Sequence, residues 1–297
     1  MTDLGKQTLV WYTRLSVRYV VSGSKQAVLI EINELNRSSI NSMTKKIFIG
    51  LSVLTVLLVG GYLANLPALD EVSEPTPAFL VAPVQHASFG LTFAEMNILN
   101  DPVGELQQYA GLGIPDVIFI SDTHGDHYDV DTLAGVVSAS TTIIAPQAVF
   151  DQLPAFLQDK TIVMANGDSH TIGSLSFEAI PMYNLPMEGE DYRHVKGVGN
   201  GYLLESDGTR IYIAGDTEDT PELRALEDID VAFIPMNLPF TMDVATAAAG
   251  VLAFGPNIVY PYHYRESDGF SDVREFERLV TLGNPEIEVR LLDWYTE

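Results

Sequence analysis

The chain has 297 residues, of which 46% are hydrophobic and 19% charged, so a sizeable core can form and wholesale disorder is excluded. Its net charge is −24, from 40 acidic and 16 basic residues. Seven of the basic and three of the acidic residues lie at or before Lys46, which leaves 37 acidic and 9 basic from Asp70 onward, a net of −28. A body this negative repels phosphate backbones and anionic headgroups, which argues against nucleic acid as a partner. There is no cysteine, so disulfides and thiolate metal sites are excluded.

In chain order, residues 1–42 mix apolar and basic residues without a clear period and precede a second plausible start at Met43. They read as a non-native or disordered extension, with a cytoplasmic tail as the alternative. Met43-Thr-Lys45-Lys46 then opens a targeting segment. Ile47 to Leu69 runs for 23 residues without a charge, long enough to cross a bilayer as a helix. Residues 43–69 are therefore expected to be a membrane anchor or a secretory signal peptide, with the lysines on the cytoplasmic side and the rest exported. The expected location is the periplasm or the outer face of the cytoplasmic membrane. Residues 70–77 are acidic and Pro-containing, an exposed linker. The folded body is expected over 78–297.

Within that body, short apolar runs of strand length appear at Phe79–Val84, Val117–Ser121, Thr141–Ala145, Thr161–Met164, Gly201–Leu204, Arg210–Ala214, Val231–Pro235 and Asn257–Tyr260. Helical stretches are expected at Asp131–Ser138, Pro221–Leu226, Met242–Phe254 and Ser271–Leu282. Strands with interleaved helices indicate an α/β layered domain. Asp207-Gly208 reads as a hairpin turn.

The chemistry-bearing residues cluster at the ends of these runs. Asp122-Thr-His124-Gly-Asp126-His127 directly follows the apolar run Asp116–Ile120. Carboxylates and imidazoles at this density repel or desolvate one another unless divalent cations neutralise them and accept the imidazole nitrogens. Gly125 permits the tight turn that aims His124 and Asp126 inward. A solvated acidic turn is the competing reading of that cluster taken alone. Three later segments weigh against it: His194 in a Gly-rich loop before a strand, Gly215-Asp216-Thr217 at a strand end, and His263 at another. Strand ends are where functional side chains collect in layered α/β domains. Asn237, after Val231–Pro235, is placed to serve as an oxyanion donor. His86 reads as a core or strand-end histidine with a backbone partner, with a role near the metal ligands as the alternative, and His170 as a hairpin-turn residue.

The order Asp122-x-His124-x-Asp126-His127, His194, Gly215-Asp216-Thr217 and His263 resembles the metallo-β-lactamase superfamily over Phe79 to Asp293. Gln85-His86-Ala-Ser88 and Asn97-Ile-Leu-Asn-Asp101-Pro102 are similar to the opening strands of its branch containing ascorbate-phosphate lactonases and N-acylphosphatidylethanolamine-type phospholipases D. The resemblance implies an αββα sandwich with two divalent metal ions, zinc first, at one edge. It implies Asp122, His124 and His194 on the first metal, Asp126, His127 and His263 on the second, and Asp216 bridging. It implies a hydroxide between metals about 3.5–4 Å apart as nucleophile, with Asp126, Asp216 and Asn237 as the catalytic set. The substrate would be a small ester, lactone, phosphodiester or amide. The family pattern begins with His where this chain has Asp122. An oxygen ligand there shifts the preference of that site toward Mn²⁺ or Fe²⁺. It is also the one feature favouring the alternative, a non-catalytic metal-binding or sensor domain that kept the fold.

Overall fold

The computed structural model describes residues 16–22, 25–31, 79–186 and 193–295. Two compact units divide the chain, Met1–Glu74 and Pro75–Glu297. In the first, β1 (Ser16–Ser22) and β2 (Lys25–Glu31) pair antiparallel, with Ser22 opposite Lys25. The first segment carries three Val and a Tyr and the second Val, Leu and Ile, residue types enriched in strands. The targeting segment at 43–69 lies outside the described residues. Among the described residues no helix is long and apolar enough to cross a membrane.

The second unit is built on two sheets. One has six strands in the order β3-β4-β5-β6-β7-β8: Phe79–Gln85, Ser88–Phe93, Met96–Asn100, Val117–Phe119, Thr142–Ala145 and Thr161–Val163. The other has seven, β15-β14-β13-β12-β11-β10-β9, formed by Glu288–Val289, Ile258–Tyr262, Val231–Pro235, Thr209–Ile213, Gly199–Ser206, Leu175–Met182 and Ser169–Ile172. Both change from antiparallel to parallel pairing partway across, at β5 in the first sheet and β12 in the second.

Side-chain alternation sorts the core into three layers. Phe89, Leu91, Phe119, Phe177, Tyr202 and Phe233 come from both sheets and form one cluster, so the sheets face each other. Phe89 and Phe233 stack across it with centroids 4.4 Å apart, and Trp294 packs edge-on against Phe89 at 5.7 Å. Ala232 and Ile234, on the opposite face of β13, pack with residues of α4 (Pro221–Arg224), α5 (Val244–Phe254) and α6 (Val273–Gly283). Ile118, Ile120 and Ile143 of the smaller sheet pack with α1 (Val130–Val136), α2 (Gln147–Phe150) and α3 (Ala155–Gln158). The result is the expected α/β architecture, in helix–sheet–sheet–helix layers.

All eight apolar runs form strands. Those buried on both faces, such as Val231–Pro235, are continuous apolar sequences. Among the strands not assigned from those runs, β10 alternates instead. In β10, Leu175, Phe177 and Ala179 point into the core while Ser176 and Glu178 lie half-buried. His170 is not in a turn: it lies within β9, opposite Phe177. Asp207 and Gly208 both have positive φ and join β11 to β12 as the hairpin turn expected.

Candidate metal centre

The two sheets deliver their strand ends to one edge, and the loops there carry the site. After β6, the amide of Ser121 donates to Asp101 Oδ1 at 2.7 Å. The chain then closes a single turn in which the amides of His127 and Tyr128 donate to the His124 carbonyl at 3.0 and 2.9 Å. Asp129 ends this turn by accepting from Thr132 N at 2.8 Å, which caps α1. Asp122, His124, Asp126 and His127 are thus held by local hydrogen bonds.

The other ligand-type residues arrive from separate strands. His194 sits just before β11, and its backbone amide donates to Asn184 Oδ1 at 2.8 Å. Asp216 follows Gly215, whose φ is +64°. A Cβ at Gly215 would lie 2.5 Å from Met182 Sδ, so both its conformation and the space exclude a side chain. His263 ends β14 with φ +48°, a left-handed conformation that costs a non-glycine residue energy and is found at functional sites.

These residues converge. His124 Nδ1 lies 2.6 Å from Asp122 Oδ2, and His194 Nε2 lies 3.3 Å from His124 Nδ1 and 3.5 Å from Asp122 Oδ2. His263 Nε2 is 3.1 Å from His127 Nε2 and 3.5 Å from Asp126 Oδ2. Asp216 Oδ2 stands between the two sets, 3.4 Å from His194 Nε2 and 3.3 Å from His127 Nε2. Three groups have ligand atoms within 4.8 Å of one another: Asp122–His124–His194, His127–Asp216–His263 and His86–Asp126–His263. All seven residues expected to hold metal are therefore brought together.

The donor set fits divalent cations. Among the described residues Asp216 Oδ1 is buried without a hydrogen-bond partner, a costly arrangement for a polar atom. Imidazole nitrogens face each other at 3.1 and 3.3 Å, close enough for one cation to accept the lone pairs of both. The backs of two rings, those of His127 and His194, are already held. His127 Nδ1 lies 2.9 Å from buried Asp101 Oδ2, and His194 Nδ1 lies 3.2 Å from Asn184 Oδ1. Such partners fix the tautomer so that Nε2 presents its lone pair inward.

The electrostatics follow from burial opposed by partners. Burial raises the pKa of Asp126, but hydrogen bonds from His263 and His86 outweigh it and hold the group well below the carboxylate range. Burial also raises that of Asp216, and the charges of His263 and His127 bring it down. Burial lowers that of His127, yet Asp216 and Asp101 raise it well above its ordinary value. His86 is pushed down to about 4, chiefly by burial, so it is neutral near pH 7.

His86 corrects a sequence-based expectation. It is not a core residue with a backbone partner for its ring: it joins the centre, with Nε2 3.1 Å from Asp126 Oδ2 and its ring 3.7 Å from that of His263. Nδ1 meets the Tyr295 hydroxyl at 2.6 Å. A two-residue turn between β3 and β4 holds His86 at φ +50°. Asp101, Asn184, Ser121 and Tyr295 were also given no role from sequence. Asp101 and His86 lie within segments quoted for the family resemblance, which was the signal available for them. Asn237 is buried at the end of β13, with its Oδ1 accepting from the Thr241 hydroxyl at 2.7 Å. The Tyr183 hydroxyl donates to Glu222 Oε2 at 2.7 Å. A cleft of about 880 Å³ opens over the centre, lined by His86, His124, Asp126, His194, Asp216 and Asn237, together with Arg193, Phe240, Arg265 and Glu266.

The β-lactamase superfamily domain model matches residues 81–263 of the chain. A metal-dependent hydrolase of Alkaliphilus metalliredigens is 31% identical over 191 residues, spanning 60% of this chain and 82% of its own. One from Pyrococcus furiosus is 31% identical over 178 residues, 56% of this chain and 74% of its own. A solved structure assigned as a metal-dependent hydrolase from Parabacteroides distasonis superposes with a TM-score of 0.63 at 37% identity, covering 72% of this chain and 92% of that one. A metallo hydrolase from Ignicoccus hospitalis shares the fold, with a TM-score of 0.61 at 21% identity over 72% of this chain and 94% of its own.

Proposed function

We propose, for a chain that belongs to the β-lactamase superfamily and is a metal-dependent hydrolase, that it cleaves a small ester, lactone, phosphodiester or amide at a centre of two divalent cations. The observation that carries this reading is the position of Asp216 Oδ2, within 3.4 Å of a histidine from each ligand set. Asp122, His124 and His194 would hold one ion and Asp126, His127 and His263 the other, with Asp216 reaching both. Such cations lower the pKa of water to supply a nucleophile and draw charge from the scissile group. Each set brings two imidazoles and one carboxylate besides Asp216, donors that suit zinc, and the carboxylate of Asp122 where the family pattern has His moves its site toward Mn²⁺ or Fe²⁺.

The protein's own groups then divide the work. The Tyr295 hydroxyl accepts from the Arg265 amide at 3.1 Å and so donates its proton to His86 Nδ1. That leaves His86 Nε2–H to donate to Asp126 Oδ2. Asp126 is thereby oriented and kept ionised as a ligand, and its side chain remains 39% exposed to the cleft, where it can accept a hydrogen bond from the attacking water. The Thr241 hydroxyl occupies Asn237 Oδ1, which fixes the amide plane and leaves Nδ2 to stabilise charge developing on the substrate oxygen. The apolar run Ile47–Leu69 behind Lys45-Lys46 supports a place of work outside the cytoplasm, either anchored or released.

Elemental analysis of the purified chain is expected to find two metal ions per chain, and at most one would sink the dinuclear reading. Removal of metal by a chelator should abolish turnover of a generic ester or phosphodiester, and re-addition of Zn²⁺ or Mn²⁺ should restore it.

A further inference from the structure

Nine Lys and Arg residues follow Asp70 in a body that carries 37 carboxylates. Six of them form ion pairs with a neighbouring Asp or Glu. Lys160 donates to the Ala139 carbonyl at 3.0 Å. The remaining two, Arg193 and Arg265, have no carboxylate within ion-pair distance among the described residues, and both line the cleft over the metal centre.

Their placement is specific in two further ways. Arg193 directly precedes His194 and Arg265 follows His263 by two residues, so each rides on a loop that also carries a ligand-type histidine. Each guanidinium also lies over an aromatic ring, Arg193 at 4.6 Å from the Phe240 centroid and Arg265 at 5.7 Å from that of Tyr295. Stacking steadies an arginine while leaving its in-plane N–H donors free, and that fork suits a carboxylate or phosphoryl group. On a surface this acidic, an unpaired cation has many potential partners. Two without a described carboxylate partner at the same opening offer an anion positive charge that the rest of this acidic body lacks.

We propose that Arg193 and Arg265 form an anion-binding subsite, and that the substrate carries a carboxylate or phosphoryl group beside the bond to be cleaved. This rests on the reading of the cleft as a hydrolase site. It narrows the substrate to one that is anionic away from the reacting centre.

The test uses the metal-loaded chain and three 4-nitrophenyl esters of equal chain length, ending in methyl, carboxylate or phosphonate. The wild type should prefer at least one of the anionic esters by about tenfold or more in kcat/KM, the effect of one charge-assisted hydrogen bond. In the Arg193→Gln/Arg265→Gln double variant that ratio should fall toward one. Arg265→Lys, which keeps the charge but not the fork, should retain part of it. Arg274→Gln removes a charge paired with Glu277 on exposed α6 and should leave the ratio within about twofold of wild type. A double variant that binds metal and keeps its circular dichroism, yet discriminates as the wild type does, overturns the proposal. If the double variant does not fold, the same comparison is made with Arg193→Lys and Arg265→Lys singly. If the wild type turns over none of the esters, the hydrolase reading fails for them, and calorimetry with glutarate and pentanoate decides the subsite alone. Tighter binding of glutarate that is lost in the variant supports it, and equal affinities overturn it.

Discussion

The two sheets build their shares of the centre in different ways. The six-stranded sheet supplies Asp122, His124, Asp126 and His127 from one turn after β6, closed by two amides on the His124 carbonyl. The seven-stranded sheet supplies His194, Asp216 and His263 from three separate strand junctions spread over 70 positions. The backbone of the first share is closed by local hydrogen bonds, while Asp101 and His86 hold its side chains from 26 and 40 positions away. The second exists only when β11, β12, β13 and β14 pair in register, because a one-residue slip in any of them turns its side chains to the other face. The centre therefore joins a half whose backbone turn is local to a half that depends throughout on strand pairing.

The largest expected effect comes from cutting the residue that joins the two halves. Asp216→Asn should bring turnover to the uncatalysed background and lower bound metal below that of the wild type, measured by single-turnover kinetics and elemental analysis. Retention of two ions per chain would show that the halves assemble without it. Next come the partners behind the rings, one in each half. Asp101→Asn removes the carboxylate behind His127 and is expected to cost about 10–100-fold in metal affinity or activity. Asn184→Ala, behind His194, should fall at the lower end of that range. If Asn184 proves the costlier, the local half is not the better organised one.

Asn237→Ala, at the end of β13, should lower kcat by about 10²-fold with little change in KM, as expected for a donor used only when charge develops. A rise in KM alone would make it a ground-state contact instead. The smallest effect is expected far from the centre, at the cap of α5. Asp243 accepts from Thr246 N at 2.7 Å, and that backbone hydrogen bond holds its pKa below its ordinary value. Asp243→Ala should cost about 1 kcal/mol in a denaturant melt. Because the folded pKa is depressed, this contribution is present above the unfolded value near 3.8 and is lost as pH falls through the folded one. The difference between wild type and variant should therefore shrink in acid, while metal content at neutral pH stays the same in both.

Much of this was legible without coordinates. The Asp122–His127 cluster declares itself because its residues are adjacent. The parallel strands are readable because burial on both faces leaves uninterrupted apolar runs such as Val231–Pro235. Strands β4, β5, β9 and β10 were not read as separate elements, since one face is mixed and the alternation includes Thr92, Glu178 and Pro181. His86 was misjudged for a related reason. It stands 40 positions from Asp126, and nothing local distinguishes a buried histidine beside a carboxylate from one packed in a core.

By itself, the sequence determined the layered α/β class, the acidic body and the identity and order of seven ligand-type residues, since each depends on composition or on spacing along the chain. Only the tertiary structure decided that His86 and Tyr295 belong to the centre, that Asp101 and Asn184 stand behind its rings, and that the two arginines without a described carboxylate partner share its cleft. Those relations span up to 209 positions and arise where strand ends from two sheets meet, so they are set by register and packing, which no local pattern encodes.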